Sequence, residues 1–537
     1  MTINLTESST LVIDDFQSMR SMIMGFLKSM GVTNISSVGT AREALELLSS
    51  KKFDLVICDY NLGQGKNGQQ ILEEARHKRY IGHATVWMMV TAEKTMDMFM
   101  GAAETKPDDY LLKPVTEAML SSRLQKLSEK KRLLEPVEKA VKARNFARAI
   151  ELCDEQLATP SANTQELQRI KSELLINSGD FAAAKTFLSG LLAARNIPWV
   201  KTSLGKVHYL SKDYLKAREL FEEVLQENKM YLEAADWLAK SLDALGESTQ
   251  AQAVLEKAMA LSPNATLRQK SLADTALKNG ALEFAQAAYE KAIKLGEFSV
   301  HKSAGNFAGL AKVLTTQDDA EQALKVLERS RSEFKDDPAA TLQTAVAESL
   351  AHHKLGNTEE ALASLQEAEK LVGATAQDTS VDTTLDMANM MFQLGQKEKA
   401  CSLLESVVRN NHENRAVLQR IEAAFEDAGM AEEGLALIKK SSREVIDINN
   451  QGVALANEGK FEEGIRLIRK ALQAMPNNDL MMTNLVGMMI GMMHRTGRDD
   501  RMLFEGGELL ERVSRINPAN KKYHQYVTLL GKMSAAD

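Results

Sequence analysis

Asp14, Asp15, Asp59, Thr91 and Lys113 are the side chains of this sequence whose types and positions could do chemistry together. Asp59 closes the run Phe-Asp-Leu-Val-Ile-Cys-Asp at 53–59. The aspartate pair follows the first apolar run, Thr91 follows a later one, and Lys113 stands in Leu-Leu-Lys-Pro. Three carboxylates held close repel one another unless a hard cation lies among them, and Mg²⁺ takes oxygen ligands while retaining several waters. Asp15 and Asp59 are expected as direct ligands, with Asp14 acting through water. A lysine adds a point positive charge and a threonine a hydroxyl donor, both suited to phosphoryl oxygens. The set describes an acid pocket in which one carboxylate, Asp59, accepts a phosphoryl group while the protein positions it and stabilises charge.

These residues are far apart in sequence, so a fold must assemble them. Short apolar runs at 10–13, 55–58, 86–90 and 110–112 each end in a polar residue. Longer amphipathic stretches at 16–30, 41–49 and 68–77 separate them. This alternation predicts an α/β unit, a doubly wound parallel sheet covered by helices on both faces. In such a sheet, polar residues at the carboxyl ends of the strands converge in one crevice. All five side chains fall at that edge.

Residues 14–31, Asp-Asp-Phe-Gln-Ser-Met-Arg-Ser-Met-Ile-Met-Gly-Phe-Leu-Lys-Ser-Met-Gly, are similar to the single-domain chemotaxis regulators. Val-Thr-Ala-Glu at 90–93 and Asp-Asp-Tyr-Leu-Leu-Lys-Pro at 108–114 match later motifs of the same family. On these motifs, residues 8–128 resemble a response-regulator receiver domain, the phospho-acceptor half of a two-component system, with a flavodoxin-like five-stranded sheet. The resemblance implies phosphorylation of Asp59 by a partner histidine kinase, with the Asn61 backbone carbonyl joining the aspartates on Mg²⁺. It assigns Thr91 and Tyr110 to a switch, the hydroxyl moving toward the phosphoryl group as the ring turns inward. It makes Asn61 and Glu93 the positions that tune hydrolysis of the acyl phosphate. Their polar side chains leave room for water and Ala92 is small enough to admit a donor, so a transient mark is expected. The loop Asn-Leu-Gly-Gln-Gly-Lys-Asn-Gly at 61–68 departs from the family in lacking its Met-Pro pair and in being slightly long.

From about residue 130 the sequence changes character, becoming rich in Ala, Leu, Glu and Lys. A column of small residues recurs: Ala149, Ala184, Ala217, Ala251, Ala285, Ala323, Ala361, Ala400, Gly434 and Gly464. Its spacing is 33–35 residues over the first four intervals, then 38, 38, 39, 34 and 30. An apolar side chain stands four residues after most of them. A glycine stands five before in seven of the ten: Gly179, Gly246, Gly280, Gly356, Gly395, Gly429 and Gly459. Two helices, a tight turn and a period near 34 resemble the tetratricopeptide repeat, in which stacked pairs share one continuous core. The expected organisation is a receiver at 1–128 and an all-α superhelical solenoid at 129–537. The solenoid would hold about ten units, the first near 130–164 and the last near 479–520, with the wider spacings lengthening loops or helices. Such arrays bind a peptide or another protein. The methionine tract at 475–493 is expected to fill helix core, the alternative being an adaptable binding surface.

Composition narrows the class. A formal charge of −7 offers no basic footprint for nucleic acid, and no helix-turn-helix or zinc pattern is present. Cys58, Cys153 and Cys401 lack metal-ligand spacing. No basic-then-apolar leader opens the chain and no segment suits membrane insertion, so a cytoplasmic location is expected. Residues 117–134 read as a charged amphipathic helix joining the two parts without a Gly/Ser spacer, with Pro136 opening the first repeat. The expected function is a non-enzymatic response regulator whose phosphorylation controls protein interactions made by the repeats. The alternative is a phosphate sink or phosphorelay intermediate tethered to its kinase. Oligomeric state is not legible.

Overall fold

The computed structural model of the chain describes residues 8–82, 84–92, 105–143, 145–158, 164–373, 375, 379–517, 520 and 522–535. Strands β1 (Ser9–Ile13), β2 (Asn34–Val38), β3 (Leu55–Asp59), β4 (Val86–Thr91) and β5 (Asp109–Leu112) form one parallel sheet in the order β2-β1-β3-β4-β5. The central strands β3 and β4 are buried along their whole length, as strands covered on both faces must be. Adjacent residues serve opposite cores. Val56, Trp87 and Met89 pack toward the helices Ala41–Ser50 and Gly68–His77, whereas Ile57, Met88 and Val90 pack toward Gln17–Ser29 and the helix beginning at Glu117. The strand β2, Asn-Ile-Ser-Ser-Val, is a polar, half-exposed edge. Its composition hides it from a search for apolar runs.

The helix Glu117–Lys142 leaves the sheet and runs unbroken into the repeats, passing through Pro136. Thr116 caps its start, accepting a bond from the Met119 N–H. Its first part buries Leu120 and Leu124 against the sheet, and its second buries Leu134 and Val137 against the helices Phe146–Leu157 and Thr164–Asn177. Beyond it the described residues are helical, in antiparallel pairs such as Pro198–Leu210 with Tyr214–Glu227 and Leu232–Ala244 with Ser248–Leu261. This is an all-α solenoid.

The small-residue column lies at the crossings. Each of its alanines is at most 1 % exposed, and each column residue sits in the second helix of a pair. All seven turn glycines have positive φ. Lys212 and Asp318, five residues before Ala217 and Ala323, adopt the same left-handed conformation without being glycine, at φ 63° and 65°. The short spacing from Gly434 to Gly464 also has a physical cause. One helix, Ala431–Asn457, serves as the second helix of one pair and the first of the next, so the intervening turn is missing. The methionine tract is core: Met481, Met482 and Met489 are fully buried, and Met475, Met488 and Met493 nearly so. After a last pair, Asp479–Thr496 and Asp500–Ile516, the helix Tyr523–Ala535 returns to the second pair. There His524 Nε2 lies 3.0 Å from an Asp180 carboxylate oxygen. No helix among the described residues is long and apolar enough to cross a membrane.

Candidate phosphoryl-acceptor site

Asp14 and Asp15 follow β1, Asp59 ends β3, Thr91 ends β4 and Lys113 follows β5. Because the strands are parallel, all five reach the same edge of the sheet. Asp14, Asp15 and Asp59 each offer a carboxylate oxygen within 4.8 Å of the others. Asp14 and Asp59 are buried at 1 % and 6 % exposure, whereas Asp15 is open to solvent. Lys113 Nζ lies 2.7 Å from Asp59 Oδ2 and 3.0 Å from Asp14 Oδ2, bridging the two buried carboxylates. Thr91 is buried, and its carbonyl accepts a 2.8 Å bond from the Lys113 N–H, which ties β4 to the lysine.

Burial pushes the Asp59 carboxyl above the ordinary aspartate range; Lys113 opposes that shift and Asp14 adds to it. Burial alone would lower Lys113, but its bonds to Asp59 and Asp14 hold it above the usual lysine value. The cluster is a charged pocket in which one lysine answers two buried carboxylates, leaving negative charge uncompensated and facing solvent through Asp15. Three hard oxygen donors with an open side fit a small divalent cation that keeps part of its water shell.

The surrounding chain fixes these positions through residues that sequence reasoning passed over. Arg20 donates to the carbonyls of Asp14, at 2.7 Å, and Asp15, at 3.2 Å, anchoring the acidic pair to the first helix. The Asp14 carboxylate accepts from the Phe16 N–H at 2.9 Å. Gly68 packs directly beneath Asp59, where a Cβ would stand 2.1 Å from the Asp59 carbonyl oxygen and 2.9 Å from Cys58 Sγ. A glycine opening a helix, where alanine would serve the helix better, is the signal that could have found it. The lengthened loop after β3 is closed by Gly63 and Gly65, both with positive φ, and by a capping box in which Asn67 and Gln70 bond each other's backbone.

Asn61 is exposed at the mouth, its side chain accepting from the Gly63 N–H at 3.1 Å. Ala92 is exposed. Glu93 lies outside the described residues. Tyr110 is half-buried beside the core formed with the helix Gly68–His77, and its hydroxyl is bonded to the Thr105 side chain. Burial drives that hydroxyl well above the ordinary tyrosine range.

A family profile described as the response regulator receiver domain matches residues 10–125. The chemotaxis protein CheY of Pseudomonas aeruginosa is 33 % identical over 120 residues, a match that takes in 22 % of this chain and 95 % of that protein. The chain belongs to the response-regulator receiver family. Chemotaxis protein CheY-3 of Vibrio cholerae is similar to the same receiver segment, at 32 % identity over 120 residues, 22 % of this chain and 91 % of that one. Among solved structures, Vibrio cholerae CheY4 matches at 24 % identity and a TM-score of 0.21, covering 22 % of this chain and 98 % of that one. MamA matches at 18 % identity and a TM-score of 0.30, covering 34 % and 94 %. Beyond the receiver, a tetratricopeptide repeat profile matches residues 232–265, the pair of helices that carries Trp237 and Ala251.

Proposed function

We propose that this protein is a phosphorylation-controlled response regulator whose output is the set of protein contacts made by its repeats. The observation that carries the reading is the juxtaposition at the sheet edge: Asp59 within 4.8 Å of Asp14 and Asp15, with Lys113 2.7 Å away. Asp59 takes a phosphoryl group from the phosphohistidine of a partner kinase; an O–P bond to Asp59 forms as the N–P bond breaks. Asp14, Asp15, Asp59 and the Asn61 carbonyl are the groups that would hold Mg²⁺, which when bound supplies positive charge against the transferring group. Lys113 supplies a second positive charge, and Thr91 a hydroxyl donor for a phosphoryl oxygen. Arg20 and Gly68 act on the backbone, holding Asp14 and Asp59 in place.

The protein acts without a substrate turnover of its own beyond acyl-phosphate formation and hydrolysis, and it works in the cytoplasm beside its kinase. The test compares proteins captured from cells by the full chain and by Asp59→Asn, each with and without acetyl phosphate and Mg²⁺. A set of partners that changes with the phosphodonor for the native chain, and not for the variant, is the expected result. Identical sets in all arms would refute regulated binding.

A further inference from the structure

The edge of the receiver opposite Asp59, around the amino ends of β4 and β5, meets the repeats at the helix Leu232–Ala244, the first of its pair, and at the turn before the helix Ala304–Thr316. Lys106 Nζ lies 2.9 Å from Glu233, which also pairs with Lys206 of the preceding unit. Glu73 lies 3.1 Å from His301 Nε2, and the rings of His77 and His301 meet edge to face at 5.7 Å. Nearer the joining helix, the Ala84 N–H donates 2.6 Å to the buried carboxylate of Glu138. Burial raises Glu233 but the two lysines outweigh it, leaving the carboxyl at about 2, so this acid is charged because it is paired.

The contact is wired to the phosphoryl-acceptor pocket by a short path. Lys113, bonded to Asp59, directly follows the four-residue strand β5. On that strand Tyr110 is bonded to the Thr105 side chain. Thr105 precedes Lys106, and the Arg76 guanidinium holds both of their carbonyls. A change in charge at Asp59 that moves Lys113 therefore pulls on the strand that positions Lys106.

We infer that the receiver is an intramolecular occupant of the first-helix face of the repeats, latched by Lys106 on Glu233, and that phosphorylation of Asp59 releases it. The release rests on the phospho-acceptor reading above; the latch does not. The first-helix face around Lys206 and Glu233 is then covered in the resting protein and open to partners after phosphorylation.

The test is zero-length carbodiimide coupling in the full-length protein, with the Lys106–Glu233 isopeptide and the acyl phosphate both quantified by mass spectrometry. The resting chain should give the isopeptide, and acetyl phosphate with Mg²⁺ should reduce its yield by roughly tenfold as the docking equilibrium shifts toward the released state. An unchanged yield in protein that carries the acyl phosphate overturns the release. A second arm needs no phosphorylation: Lys106→Glu and Glu233→Lys should each expand the molecule in small-angle scattering, and the double exchange should restore its size. Single reversals that leave the size unchanged overturn the latch. A chain that takes no phosphate but responds to the reversals keeps the latch and loses both the release and the Asp59 reading.

Discussion

At the scale of single residues, the pocket is strained by charge. Asp59 sits above the ordinary aspartate value of 3.8 because burial disfavours its ionised form. A group whose folded value is raised costs stability once pH exceeds both its folded and unfolded values, and costs none below them. Two outcomes follow at neutral pH. Asp59→Asn should raise the Tm of the metal-free protein, and Mg²⁺ should raise the Tm of the native chain but not of the variant. Protons compete with the cation, so on acidification the Mg²⁺ effect should fade at a higher pH than an unperturbed aspartate would give. Thermal denaturation with and without Mg²⁺ across pH reads both. Gly68→Ala is a separate test of positioning. Its Cβ cannot stand 2.1 Å from the Asp59 carbonyl, so the backbone must shift. The expected cost is about 1–3 kcal/mol, measured by denaturant unfolding, together with reduced phosphate uptake from acetyl phosphate.

At the scale of elements, the repeats were the more legible half, because each signal recurs and has one physical meaning. Small residues every 34 or so positions became buried helix crossings, and glycines five residues earlier became turns with positive φ. Lys212 and Asp318 escaped notice because the conformation is imposed by the neighbouring helices rather than by the residue itself. That predicts opposite outcomes at equivalent turns. Gly246→Ala should cost about 1–2 kcal/mol, whereas Lys212→Gly should relieve strain and gain up to about 1 kcal/mol. Hydrogen exchange in the flanking helices is the suitable measurement, since units of a solenoid respond mainly with their neighbours. In the receiver, the order of strand-ending polar residues gave the pocket, and the apolar runs gave β1, β3, β4 and β5. The polar edge β2 was invisible to that search, as was Arg20, whose role is to hold backbone carbonyls rather than to display a motif. The contact between receiver and repeats could not be read at all, because Lys106 and Glu233 are 127 residues apart and each alone is an ordinary surface charge.

At the scale of the whole molecule, the continuous helix Glu117–Lys142 sets how the receiver meets the repeats. One alanine inserted after Leu127 would turn one end against the other by about 100°. The sheet should keep its stability while the Lys106–Glu233 and Glu73–His301 contacts are lost, visible as an expanded envelope in small-angle scattering. An unchanged envelope would mean that the docking does not depend on the helix. Acid should act on the same interface. Glu233 is held at about 2, so its contribution is present above the ordinary glutamate value of 4.5 and is lost as pH falls toward about 2. Control of the repeats by phosphate passes through one carboxylate, Asp59. Acetyl phosphate and Mg²⁺ added to the purified chain, followed by intact mass and site mapping, test it most directly. A single Mg²⁺-dependent phosphoryl group on Asp59, absent from Asp59→Asn, is the predicted result. An unmodified chain, or a variant that is labelled equally, would contradict it.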